Sequence, residues 1–184
     1  MSLVLKSSGG SERWLVLRRK LFIDALCLAM AAGLASLDTL DRENLVANAA
    51  KMGDYLGQGL TTMIPRFEFM KEVRWRGLMV GIEFGSPKSI SLKIAWTTCH
   101  TLDKSLFPQA CVIPLLDKHH IITQVAGHNV DVVKLLPPLI LTQEDADYFL
   151  KSFEDVMVQM HKFPGPAWDV LTGIGKMALT QRAR

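Results

Sequence analysis

The sequence is poor in cysteine, in tyrosine and in surplus charge of either sign. Its three cysteines, Cys27, Cys99 and Cys111, are odd in number, far apart and in no C-x-x-C pair. That excludes a disulfide-stapled frame and points to buried thiols in a reducing, cytoplasmic setting. Net charge is +3, and its location matters more than its size. Lys6, Arg13, Arg18, Arg19 and Lys20 against Glu12 give the first twenty residues +4, so the remainder sums to −1. A nearly neutral body with a basic start has no broad phosphate-binding face, which argues against nucleic acid. No H-E-x-x-H or Cys/His spacing occurs, and the His119-His120 doublet near His128 fits no metal pattern, so no metal is expected. Internal repeats and low-complexity tracts are lacking too.

What is present suits a packed domain: 184 residues, 49% of them hydrophobic. The run "LFIDALCLAMAAGLASL" (21–37) is apolar apart from Asp24 and follows "RRK". A basic flank before an apolar run is how a membrane anchor begins. This run falls short of the ~20 residues a bilayer core needs, and Asp24 lies inside it. Its five alanines and Gly33 fit a helix crowded by protein neighbours.

Periodicity supplies the rest. Asp41 is placed to N-cap a second helix carrying Leu45, Ala49, Met52, Leu56, Leu60 and Met63 on one stripe, closed by Pro65. "FMKEVRWR" and "GLMVGIEFG" read as short strands around Gly77. A third helix is predicted over 91–106, stopped by Pro108. Strands are predicted near 110–115, 121–125 and 131–136. Thr142 with Asp145 three residues on signals a capping box for a helix with Ala146, Phe149, Leu150, Phe153, Val156, Met157 and Met160 on one face. This order predicts an α+β fold with helices over one face of a small sheet. Within "VVKLLPPLILT" (132–142), Lys134 stands in an apolar run before two prolines. It either points to solvent or waits for an anionic group, since a buried ammonium is costly unless met.

Three blocks read together, "LAMAAGLASLDTLDRENLVANAAKMGDYLGQGL" (28–60), "VRWRGLMVGIEFG" (73–85) and "VVKLLPPLILTQEDADYFLKSFEDVM" (132–157), resemble the C-terminal part of class-III pyridoxal-phosphate aminotransferases of the ornithine and acetylornithine type. The resemblance implies a fold-type-I enzyme, usually a homodimer, that moves an amino group from an amino donor to a 2-oxo acid through pyridoxal 5'-phosphate. It implies connecting helices over 27–64, a small C-terminal α+β domain over 65–162 and a tail with a short helix over 163–184, after a divergent basic segment over 1–26. It also implies a role for Lys134, because ornithine-type relatives carry there an arginine that holds the substrate carboxylate. An ammonium in its place is a flexible point charge, whereas a guanidinium offers two parallel donors. Arg74 is expected to pair with a carboxylate at a domain contact, and Trp75 stands where many relatives have glycine.

Transamination also needs a lysine that joins the cofactor as a Schiff base, an acidic partner for the pyridine nitrogen and a phosphate cradle. "LKSSGG" (5–10) is similar to the family's lysine motif, which makes Lys6 the candidate. Residues 11–26 depart from the family, and "FIDAL" (22–26) replaces the expected Thr-Phe-Gly-Gly-Asn type turn. A truncated or frame-disturbed coding sequence upstream of residue 27 is one expectation from this, and with it a chain inactive alone. The alternatives are a non-catalytic assembly module that docks through residues 25–35, and a membrane-anchored protein using 21–37.

Overall fold

The computed structural model describes residues 10–102, 106–127 and 130–162, with the side chains of 26–101, 106–127 and 130–162. The chain divides into two compact units, Met1–Leu45 and Val46–Arg184. The first holds α1 (Gly10–Arg42), a helix of 33 residues that runs through the basic "RRK" rather than starting after it. Asp41 lies in its last turn and does not cap the next helix, contrary to the sequence expectation. Asn44 does the work of separation: its φ of 56° is left-handed, a conformation asparagine accepts more readily than most residues. No helix among the described residues is long and apolar enough to cross a membrane. Residues 21–37 lie within α1, which is not such a helix.

The second unit begins with α2 (Leu45–Met63), which buries Met52, Leu56, Leu60 and Met63, along with two glycines the stripe did not include. A Cβ on Gly53 would lie 2.0 Å from the Gly77 carbonyl oxygen, and one on Gly57 would lie 2.2 Å from the Trp75 indole. Both glycines are therefore demanded by close approach. Gly77, with φ +54°, turns the chain between β1 (Met70–Arg76) and β2 (Met79–Phe84). Trp75 adds an indole N–H donated to Asp54 at 3.0 Å, so the bulky residue is held by α2.

Next come α3 (Ile90–Leu102) and α4 (Leu106–His119). Residues 110–115, predicted as a strand, lie inside α4. The buried residues Phe107, Ala110, Cys111, Pro114 and Leu115 follow i, i+3, i+4, i+7, i+8, a helical stripe that apolarity alone disguises as a strand. Pro108 sits in the first turn, where its missing N–H has no intrahelical partner to lose. Pro114 does break one ladder bond, and burial of the stripe offsets it. The third helix also ends earlier than predicted, with Leu106 opening α4.

Strands β3 (Gln124–Val125) and β4 (Val132–Leu135) complete a four-stranded antiparallel sheet in the order β1-β2-β4-β3, and α5 (Gln143–Met160) follows. Side chains alternate across the sheet. Val73, Val80, Ile82, Phe84, Val133 and Leu135 face a core shared with Phe69, Phe107, Leu115, Phe153 and Met157. The capping box is present: the Thr142 hydroxyl accepts from the Asp145 N–H, and the Asp145 carboxylate accepts from the Thr142 N–H at 3.1 Å. α3 is held differently, through Glu68, whose carboxylate accepts the N–H groups of Lys88 at 3.0 Å and Ser89 at 2.8 Å. A distant carboxylate thus meets the positive end of that helix.

The α2–turn contact yields a test. Gly53→Ala forces a methyl group into the Gly77 backbone and should cost about 2–3 kcal/mol in urea unfolding. Ala49→Gly, one turn earlier on the same helix, should cost no more than about 1 kcal/mol.

Candidate functional site

Helices cover one face of the sheet. The other face carries Glu72, Arg74 and Arg76 on β1, Met79, Gly81 and Glu83 on β2, and Val132 and Lys134 on β4. The register places Lys134 opposite Gly81 on one side and Gln124 on the other. Its chain neighbours Val133 and Leu135 are buried at 0% and 7% exposure. Among the lysines whose side chains are described, Lys134 alone is half-buried, the rest being exposed. No described carboxylate pairs with it.

The other cations on this face are differently placed. Arg74 donates to Glu83 at 3.0 Å and reaches Glu72 at 4.0 Å, so its carboxylate lies within the sheet rather than at a domain contact. Lys71 also pairs with Glu83. That hydrogen bond, with the nearby charges of Lys71 and Arg74, holds the Glu83 carboxyl below its ordinary range against the opposing effect of burial. The same bond raises Lys71. Glu83 thus gathers two cations, and Lys134 stays outside the network.

The backbone leaving Lys134 is pinned. After Pro137 and Pro138 the chain turns, with the Leu141 N–H donated to the Pro138 carbonyl at 3.0 Å. The Asn48 side-chain amide on α2 donates to the carbonyls of Leu139 at 2.7 Å and Leu141 at 3.1 Å. Tyr55, also on α2, hydrogen-bonds Asp147 on α5. These contacts fix where β4 ends and α5 starts. Beside them lies a recess of about 270 Å³ lined by Leu56, Leu135, Pro137, Ala146 and Phe149 among others. It is apolar and holds no lysine.

The histidines serve structure. His100 faces both carboxylate oxygens of Asp131 through Nε2, at 2.9 and 3.0 Å, while Nδ1 meets the Trp96 carbonyl at 3.0 Å. His161 accepts the Glu68 N–H through Nε2 at 3.0 Å and donates from Nδ1 to Met157 at 2.9 Å. His119 bonds Asp155 at 3.1 Å. With both ring nitrogens of His100 and His161 engaged, neither offers a free site for proton transfer. No three metal-ligating side chains come together among the described residues, and His128 lies outside them. Cys99 and Cys111 are buried, and burial pushes their thiols up to about 11 and about 12. Cys27 is exposed, against the expectation of three buried thiols.

The model of aminotransferase class-III matches residues 25–157. The chain belongs to this family. It is 34% identical over 132 residues to acetylornithine aminotransferase 1 of Bordetella bronchiseptica, covering 72% of this chain and 28% of that one. It is 29% identical over 133 residues to alanine–glyoxylate aminotransferase 2 homolog 2 of Arabidopsis thaliana, covering 72% of this chain and 26% of the relative. Among solved structures, an amine transaminase from an uncultivated Pseudomonas species in its PLP-bound form is 27% identical with a TM-score of 0.57, over 71% of this chain and 27% of that one. A phospholyase from Arthrobacter in complex with phosphoethanolamine is 28% identical with a TM-score of 0.53, over 70% of this chain and 28% of that one. The chain therefore spans about a quarter of the length of the relatives it matches. Its α+β architecture is that of part of a fold-type-I transaminase.

The structure brings Lys134 together with Gly81 and Gln124, and Lys6 lies outside the described residues. Sequence reasoning missed Asn48, Gly81 and Gln124. A glycine within the apolar run "LMVGIEF" was the available signal for Gly81.

Two outcomes follow. Asn48→Ala leaves two carbonyls without their donor and should lower stability by about 1–2 kcal/mol in urea unfolding. Because Glu83 is depressed in the folded state, its contribution is complete above its ordinary value of 4.5 and is lost as pH falls through the lower folded value. Urea midpoints should fall on acidification below pH 4.5, and Glu83→Gln should show a smaller fall.

Proposed function

We propose that this chain provides the substrate-facing small domain, over 65–162, of a pyridoxal-phosphate-dependent transaminase, with Lys134 receiving an anionic group of the substrate. The observation that carries the reading is the half-buried Lys134, without an anionic partner among the described residues, on the sheet face opposite the core of a class-III family member. A half-buried cation gains most when an anion meets it. Membership alone does not set the reaction, since aminotransferases and a phospholyase stand among the matches. A lone ammonium accepts a carboxylate or a phosphate without the planar selectivity of a guanidinium.

Pyridoxal phosphate, where bound, supplies the electron sink through which an amino group passes from an amino donor to a 2-oxo acid. The described residues do not by themselves form a site for it. The start of α3 is filled by the Glu68 carboxylate and that of α5 by its own capping box, so neither is free to cradle a phosphate. Lys6 remains the proposed cofactor lysine. Our reading is that turnover requires a further protein body, in a homodimer or from a partner chain, and that this chain alone is inactive.

The test is incubation of the chain with pyridoxal phosphate, borohydride reduction and peptide mass analysis, alongside an amino-transfer assay. No stoichiometric adduct and no turnover are expected. A full adduct on Lys6 accompanied by turnover would overturn the proposal of inactivity.

A further inference from the structure

Gly81 sits in mid-strand in β2, where a residue without a side chain weakens the strand. The two ordinary reasons for a glycine there are absent. Its φ is not in the left-handed region, unlike that of Gly77. A Cβ at Gly81 would meet nothing nearer than the Val132 Cγ1 at 3.7 Å and the Arg74 carbonyl oxygen at 3.9 Å, both ordinary contacts. Gly53 and Gly57 differ, with atoms of this chain at 2.0 and 2.2 Å. The folded chain needs the space above those two glycines, whereas among the described residues a Cβ at Gly81 would meet only ordinary contacts.

What borders that space is chemically specific. Gly81 pairs with Arg74 on one side and Lys134 on the other, and Gln124 is the next residue along the same row. The Arg74 guanidinium is drawn to Glu83, whereas the Lys134 ammonium has no anionic partner among the described residues. Gln124 is exposed and offers an amide donor on the same face. An uncovered strand floor, a half-buried unpaired cation and an amide thus adjoin one another.

We infer that Gly81 is a specificity-determining residue: it keeps open a recess in which a carboxylate or phosphate group of the substrate lies over β2 and reaches Lys134 and Gln124. This rests on the reading of Lys134 as the anion-receiving group. A methyl group at 81 would enter the recess at ordinary contact distances, since no described atom lies nearer to the Cβ position than 3.7 Å.

The experiment titrates the full chain, at fixed ionic strength, with succinate and with phosphoethanolamine. The backbone amide NMR signals of Lys134 and Gln124 are followed in the wild type, Gly81→Ala, Gly81→Val and Lys134→Met. Saturable shifts in the wild type are expected, and the probe that binds more tightly tells carboxylate from phosphate. Gly81→Val should weaken the apparent affinity roughly ten-fold and Gly81→Ala about three-fold, while Lys134→Met should abolish binding. Urea midpoints of the two Gly81 variants should be no lower than that of the wild type. Variants that bind like the wild type would sink the role of Gly81 alone. Lower midpoints in those variants would show that the glycine is structural and likewise sink it. A wild type whose signals respond to neither probe would remove the role of Lys134, and the inference with it.

Discussion

The register between β2 and β4 governs the molecule. With Val80 opposite Leu135 and Ile82 opposite Val133, these four residues enter the core, while Lys134 lies on the opposite face with Met79 and Val132. A slip of β4 by one residue would invert its faces, exposing Val133 and Leu135 and driving an ammonium into the core that holds Phe107 and Phe153. Such a charge would cost several kcal/mol without a partner. The core and the candidate site are therefore two sides of one pairing, and a change of register would disrupt both.

Much of this was readable in the residues, because strong periodicity survives folding. The α2 and α5 stripes reappear as buried faces, and the Thr142–Asp145 capping box forms as its spacing required. The failures have local causes. Residues 110–115 suggested a strand as a short apolar run after Pro108, yet the buried positions follow a helical period that includes Pro114. Asp41 seemed a helix start because aspartate often is one. α1 instead runs past it, and Asn44 makes the break with a backbone conformation that no pattern of polarity reveals.

The site was readable in part. Lys134 stood out as a charge in an apolar run, and its half-buried, unpaired setting gives that oddity a place on the sheet. Gln124 and Gly81 meet Lys134 through strand order, since β4 lies between β3 and β2 although β2 is distant in sequence. Lys6 is a different matter, for no pairing within the described residues bears on it. The match to class-III aminotransferases over residues 25–157 includes the sheet, α2 and α5, the elements on which the Lys134 geometry depends.

The Asn48 clasp carries a consequence for the order of folding. Its bond to the Leu139 carbonyl joins residues 91 positions apart. Closing a flexible loop of that size costs about 4 kcal/mol of chain entropy before any constant term. Two hydrogen bonds, worth about 1 kcal/mol each, cannot draw such distant segments together. The β1–β2 hairpin and the helices packed on it must come first, and the clasp is a latch that engages once they have brought its halves within reach.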